Sequence, residues 1–253
     1  MPCVFCRSTE PLTNEHAIPA WIGKHLGQGP VTHNYIPWKG GAPAWTYEKK
    51  ELSIEARAVC KSCNNGWMSD FEDDVAPVLG PLIDGDERLL GATNRELLAA
   101  WATKTVLMIQ QAMPTAARVS TGADYQDFYA RRRPPRDARL WLAASAERHA
   151  GSTGPLSLTV DRPPHRRESF SAAFLYLGHA VFLIAGPGLS STPALHPDYP
   201  GWTVPLWPGL EPVSWPPATR LTRDQMGVLP QVFSSLLYLP AHGPPAKRIE
   251  LAL

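Results

Sequence analysis

The sequence predicts an α+β fold, with a small cysteine-clamped module at the N-terminus and a larger body of helices and antiparallel strands behind it. Three observations point there. All four cysteines of the 253-residue chain fall into two Cys-x-x-Cys pairs, Cys3/Cys6 and Cys60/Cys63. A stretch apolar on most faces runs from about residue 93 to 113, the pattern of a buried helix. Beyond it, residues 138–144, 156–160 and 170–185 have the composition of strands.

Taken in order, residues 13–18 read as a short extended stretch, since Pro19 disfavours helix at Ile18. Residues 20–26 fit a short helix stopped by Gly27 and Gly29. Residues 28–50, rich in Gly, Pro and Trp, read as a long loop. Leu52, Ile54, Ala56 and Ala58 alternate with polar residues, which makes a half-buried strand leading into Cys60. After Cys63, Trp67, Phe71 and Val75 recur at helical spacing, with Asn64 as expected N-cap and with Pro77 and Pro81 bending or ending the helix. Thr93 to Glu96 is a capping-box sequence opening the long helix, which Pro114 stops. Residues 124–132 fit another helix, 170–185 a hairpin turning near Gly178-His179, and 221–233 a last helix.

Two Cys-x-x-Cys pairs in one chain are the donor set of a closed, tetrahedral structural zinc site. Thiolates satisfy this borderline-soft ion without redox chemistry. The zinc pins the segment before Glu15-His16 to the helix start at Asn64-Asn65. A carboxylate and an amide oxygen then suit a hard cation such as Mg2+, and imidazole suits proton transfer near neutral pH.

Cys3-x-x-Cys6, Glu15-His16-x-Ile18-Pro19 and Cys60-x-x-Cys63-Asn64 resemble the HNH, or ββα-metal, endonucleases, and the run from Cys63 to Ser69 resembles one bacterial group of HNH-like proteins. The resemblance covers roughly residues 1–75. It implies a ββα-metal, treble-clef zinc module over residues 1–80 and a separate α+β body over 81–253. It implies a metal-dependent endonuclease in which His16 is the general base. Glu15 and Asn64 would hold catalytic Mg2+ or Mn2+, and Cys3, Cys6, Cys60 and Cys63 structural Zn2+. Lys104, Asn65 and His33 are candidate substrate contacts, with Asn34 as the candidate middle asparagine. The implied partner is nucleic acid, DNA before RNA.

Composition leaves other classes open. The net charge of +1 carries no overall nucleic-acid footprint, although residues 114–168 sum to +4 and residues 67–96 to −6. A non-catalytic zinc scaffold that binds nucleic acid or protein is one alternative. A scaffold recruited to small-molecule chemistry is another. No apolar run reaches a membrane span, no signal-peptide pattern opens the chain, and paired cysteines fit a reducing cytoplasm. The sequence does not determine oligomeric state.

Overall fold

The computed structural model of the chain describes residues 1–27, 31–35, 45–49, 54–115, 118–162, 166–186, 202–209 and 211–229. The fold is α+β with antiparallel pairing throughout its named strands.

In the N-terminal part, β1 (Leu12–His16) pairs antiparallel with β4 (Glu55–Cys60), and the chain passes directly from β4 into helix. Strand, strand and helix thus frame the four cysteines. Between the strands lie α1 (Ala20–Leu26) and the hairpin of β2 (Val31–Tyr35) with β3 (Trp45–Lys49). The long loop expected over 28–50 therefore contains a hairpin, its alternation masked by Gly, Pro and Trp. Gly27 ends α1 at φ 66°, in the left-handed region.

Helix α2 (Lys61–Cys63) is a single turn that a wide turn, Asn64–Met68, joins to α3 (Ser69–Asp84). Asn64 is not the N-cap expected of it. The backbone is already helical at Lys61, and Asn64 has φ −62° and ψ −55°. Pro77 and Pro81 lie inside α3 without ending it. The carbonyls they leave without an N–H partner belong to Asp73 and Pro77, which are exposed, so water can satisfy them. The opposite stripe, Val75, Leu79, Leu82 and Ile83, is buried.

Strand β5 (Arg88–Leu90) leads into α4 (Ala92–Ala112). The helix starts after Gly91, two residues before the expected capping box, and makes no side-chain cap there. It is buried on all sides because β4 and α3 pack on one flank and β6, β7 and β8 on the other. α5 (Gly122–Arg131) carries its own capping box, Thr121 with Asp124. β6 (Arg139–Arg162) and β7 (Arg166–Gly186) form one long ribbon with β8 (Thr203–Trp207) beside β6, while β9 (Val213–Trp215) pairs with β5. Of the helix expected over 221–233, residues 223–229 are helical, Leu221 instead bridges to Ser145, and residues 230–233 lie outside the described residues.

β7 does not turn at Gly178. It runs straight through, with Gly178 opposite His149 at a register shift. Its near-continuous apolar run arises because both sheet faces are covered. Leu175, Leu177 and Phe182 join the core under α4, while Phe174, Val181 and Leu183 join a second cluster with Trp202 and Met226. Gly178 has φ +59°, and a Cβ there would lie 2.2 Å from the Ile83 carbonyl oxygen. Gly178→Ala is therefore expected to cost about 3 kcal/mol, measured as a urea midpoint shift at unchanged slope.

One apolar cluster joins Phe5, Ile18 and Met68 to Leu98, Trp101 and Phe182. Position 80, the expected end of the first module, lies within α3. No helix among the described residues is long and apolar enough to cross a membrane.

Candidate metal centre and the site beside it

The first knuckle is a tight turn in which Arg7 donates to the Cys3 carbonyl and Cys3 to the Ser8 carbonyl. The second forms where β4 becomes α2. Pairing of β1 with β4 superposes them, with Leu12 opposite Cys60. Cys3 Sγ lies 3.8 Å from Cys63 Sγ, and Cys6 Sγ 3.6 Å from Cys60 Sγ. All four sulfurs lie within 4.8 Å of one another, and no disulfide joins them. Zn–S bonds of about 2.3 Å place tetrahedral sulfurs about 3.8 Å apart, so the donor set fits zinc. Burial pushes the Cys60 and Cys63 thiols up, so a metal must displace their protons to bind.

Aromatic packing fixes this centre to the body. Phe5, between the first two cysteines, meets Trp67 edge-on at 5.2 Å and Tyr125 of α5 at 5.7 Å. The Arg132 guanidinium lies 3.8 Å from the Trp67 ring centroid and 4.2 Å from that of Tyr129.

Strand alternation separates the two expected catalytic neighbours. His16 faces outward, its side chain 42% exposed, with Nε2 3.8 Å from Oε1 of Glu55, its cross-strand partner. That distance makes the contact electrostatic and not a hydrogen bond. Glu15 faces inward and is 6% exposed. Its Oε1 lies 3.8 Å from Lys104 Nζ, and the same ammonium donates to Glu72 Oε1 at 2.6 Å. Asn64 donates from Nδ2 to Thr13 Oγ1 at 3.0 Å and to the Asn14 carbonyl at 3.4 Å, latching the helix start to β1. Asn65 is exposed. His33 and Asn34 pair through β2 with Tyr47 and Thr46, and their side chains lie outside the described part.

This arrangement does not fit the expected Mg2+ or Mn2+ between Glu15 and Asn64. Glu15 is already engaged by the Lys104 ammonium, and a divalent ion about 4 Å from that ammonium would meet a repulsion of about 8 kcal/mol at an effective dielectric of 20, set against its attraction to the two carboxylates. Nor is Lys104 placed as a substrate contact. It is fully buried, and its ammonium is engaged by the Glu15 and Glu72 carboxylates. The arginine run that ends α5, Arg131 to Arg133, is also committed within the chain. Arg131 pairs with Asp127 at 2.7 Å, Arg133 pairs with Glu96, and Arg132 stacks on Trp67 and Tyr129.

Burial pushes the Glu15 carboxyl up to about 7, Lys104 opposing the rise and Glu72 adding to it. The folded state then holds this proton more tightly than the unfolded chain, whose glutamate titrates near 4.5. Glu15 therefore costs stability progressively as pH rises from 4.5 through about 7. Glu15→Gln is expected to be nearly neutral at pH 5 and stabilising by on the order of 3 kcal/mol at pH 8, read from urea midpoints. Destabilisation at pH 8 would show that attraction to Lys104 outweighs burial.

The sequence reading missed Glu72 and Glu55. Glu55 had a signal, being polar on an alternating strand with His16 on its partner. Glu72 had none, because its role depends on where α4 packs. Fold and centre together define a class, α+β proteins with a four-cysteine clamp whose geometry fits a metal ion. No family model, curated protein or solved structure matches the chain.

Proposed function

We propose that the protein is a zinc-scaffolded hydrolase of nucleic-acid phosphodiester bonds, with His16 as general base, acting in a reducing compartment such as the cytoplasm. The observation that carries this reading is the outward-facing His16 beside Glu55, on a strand held by the four-cysteine clamp. The Glu55 carboxylate lies where it stabilises the imidazolium formed when His16 takes a proton from water. The zinc is structural and closed, and takes no part in proton transfer. The resemblance of Glu15-His16-x-Ile18-Pro19 and Cys60-x-x-Cys63-Asn64 to the HNH pattern supports phosphodiester as the bond and DNA as the first substrate to test. A divalent ion at Glu15 is not part of the reading, because Lys104 stands beside that carboxylate.

His16→Ala is expected to retain zinc and the thermal midpoint while nicking of plasmid DNA falls about 100-fold or more. Unchanged nicking by that variant removes the assignment. The internal pairing of the arginine run favours a second reading, a non-catalytic zinc scaffold that docks a protein. That reading predicts no nicking by the wild type.

A further inference from the structure

A fully buried lysine needs compensation, since removing its charge from water costs several kcal/mol. Lys104 lies midway along the innermost helix and is 0% exposed. Its compensation comes from both sides of the clamp. Glu15 stands on β1 between the two cysteine pairs, and Glu72 stands on α3 nine residues after Cys63. Closing the clamp brings these two acids toward one point. Their side chains are only 9% and 21% exposed, so the two can be ionised together only with a counter-cation between them. Proteins meet that requirement either with a bound ion ligated by oxygen or with a basic side chain.

We propose that Lys104 is the resident cation of this site, a positioning residue that holds Glu15 and Glu72 and takes the place a divalent ion would need between those two carboxylates. Three elements supply the triad, which ties clamp and body together by charge. The body contributes the positive member through α4. The clamp contributes both negative ones. For catalysis the assignment rests on the reading of His16 as base, and it leaves structural zinc as the sole metal requirement. The charge assignment stands apart from that reading.

The test titrates the full-length, zinc-loaded protein with Mn2+ at pH 8 and follows the free ion by electron paramagnetic resonance. Wild type and Lys104→Arg are expected to bind no equivalent. Lys104→Met, which leaves both carboxylates without a cation, is expected to bind one equivalent, with a Kd about tenfold or more below the highest Mn2+ concentration at which the wild type binds none. Its thermal midpoint should rise with Mn2+, and adding Glu15→Gln should remove both effects. Binding of one equivalent by wild type that Glu15→Gln abolishes overturns the proposal. So does a folded Lys104→Met that ignores Mn2+. Should Lys104→Met not fold, wild type against Glu15→Gln decides alone. Plasmid nicking is read separately, so failure of the hydrolase reading leaves the Mn2+ result intact.

Discussion

Cys60→Ser, or removal of zinc by a strong chelator, is expected to unfold the clamp and to abolish the cooperative thermal transition of the whole chain. A four-thiolate site contributes on the order of 10 kcal/mol to the fold that carries it. Serine supplies a poor ligand, and Cys60 is fully buried at the end of β4, so the hydroxyl has no water to turn to. The loss reaches the body because the apolar cluster that holds Phe5 and Val59 also holds Trp101 and Phe182. Elemental analysis should find one zinc per chain in the wild type and less in the variant, with the melting transition lost in parallel. A metal-free protein with an unchanged midpoint would show the cysteines to be ordinary core thiols.

Lys104→Met is expected to be the most destabilising single change outside the clamp, by about 3–5 kcal/mol at pH 8. Methionine matches the lysine stem in length, so the loss arises from charge and not from a cavity. It leaves Glu72 without the donor now 2.6 Å away, and both acids without a counter-cation. Lys104→Arg should recover part of the loss. Glu15→Gln, by contrast, should stabilise at pH 8, because it removes a carboxylate and leaves the Lys104–Glu72 pair intact. Opposite signs for two partners of one ion pair distinguish burial from attraction. Urea midpoints for the three variants at pH 5 and pH 8 give the comparison.

The parts of the fold legible in the sequence are those decided by neighbours in the chain. Paired cysteines announce a clamp because knuckle geometry is local, and the clamp forms as expected. The all-round apolar pattern of α4 announces burial. What stayed hidden depends on distant packing. Lys104 on an apolar helix reads as a substrate contact until Glu72 and Glu15 arrive from two other elements. Pro77 and Pro81 look like a helix stop until the exposure of that face supplies water for the freed carbonyls. Gly178 looks like a turn until the passing carbonyl of Ile83 explains why no side chain fits there. The adjacency of Glu15 and His16 reads as one site, yet strand alternation sends them to opposite faces.

The 16-residue α3 begins near the sulfur centre and ends where Ile83 meets Gly178 and Asp84 meets Arg148. At 1.5 Å per residue it is a rod of about 24 Å that carries one phase from end to end. Adding a single residue to it would rotate one end by about 100° against the other, taking Glu72 off Lys104 or Ile83 off Gly178. A non-helical connection between two packed elements carries no such phase. There the closure cost grows only with the logarithm of length, about 0.6 kcal/mol per doubling. Length variation in descendants of this chain should therefore be purged from α3, the segment just after the second cysteine pair.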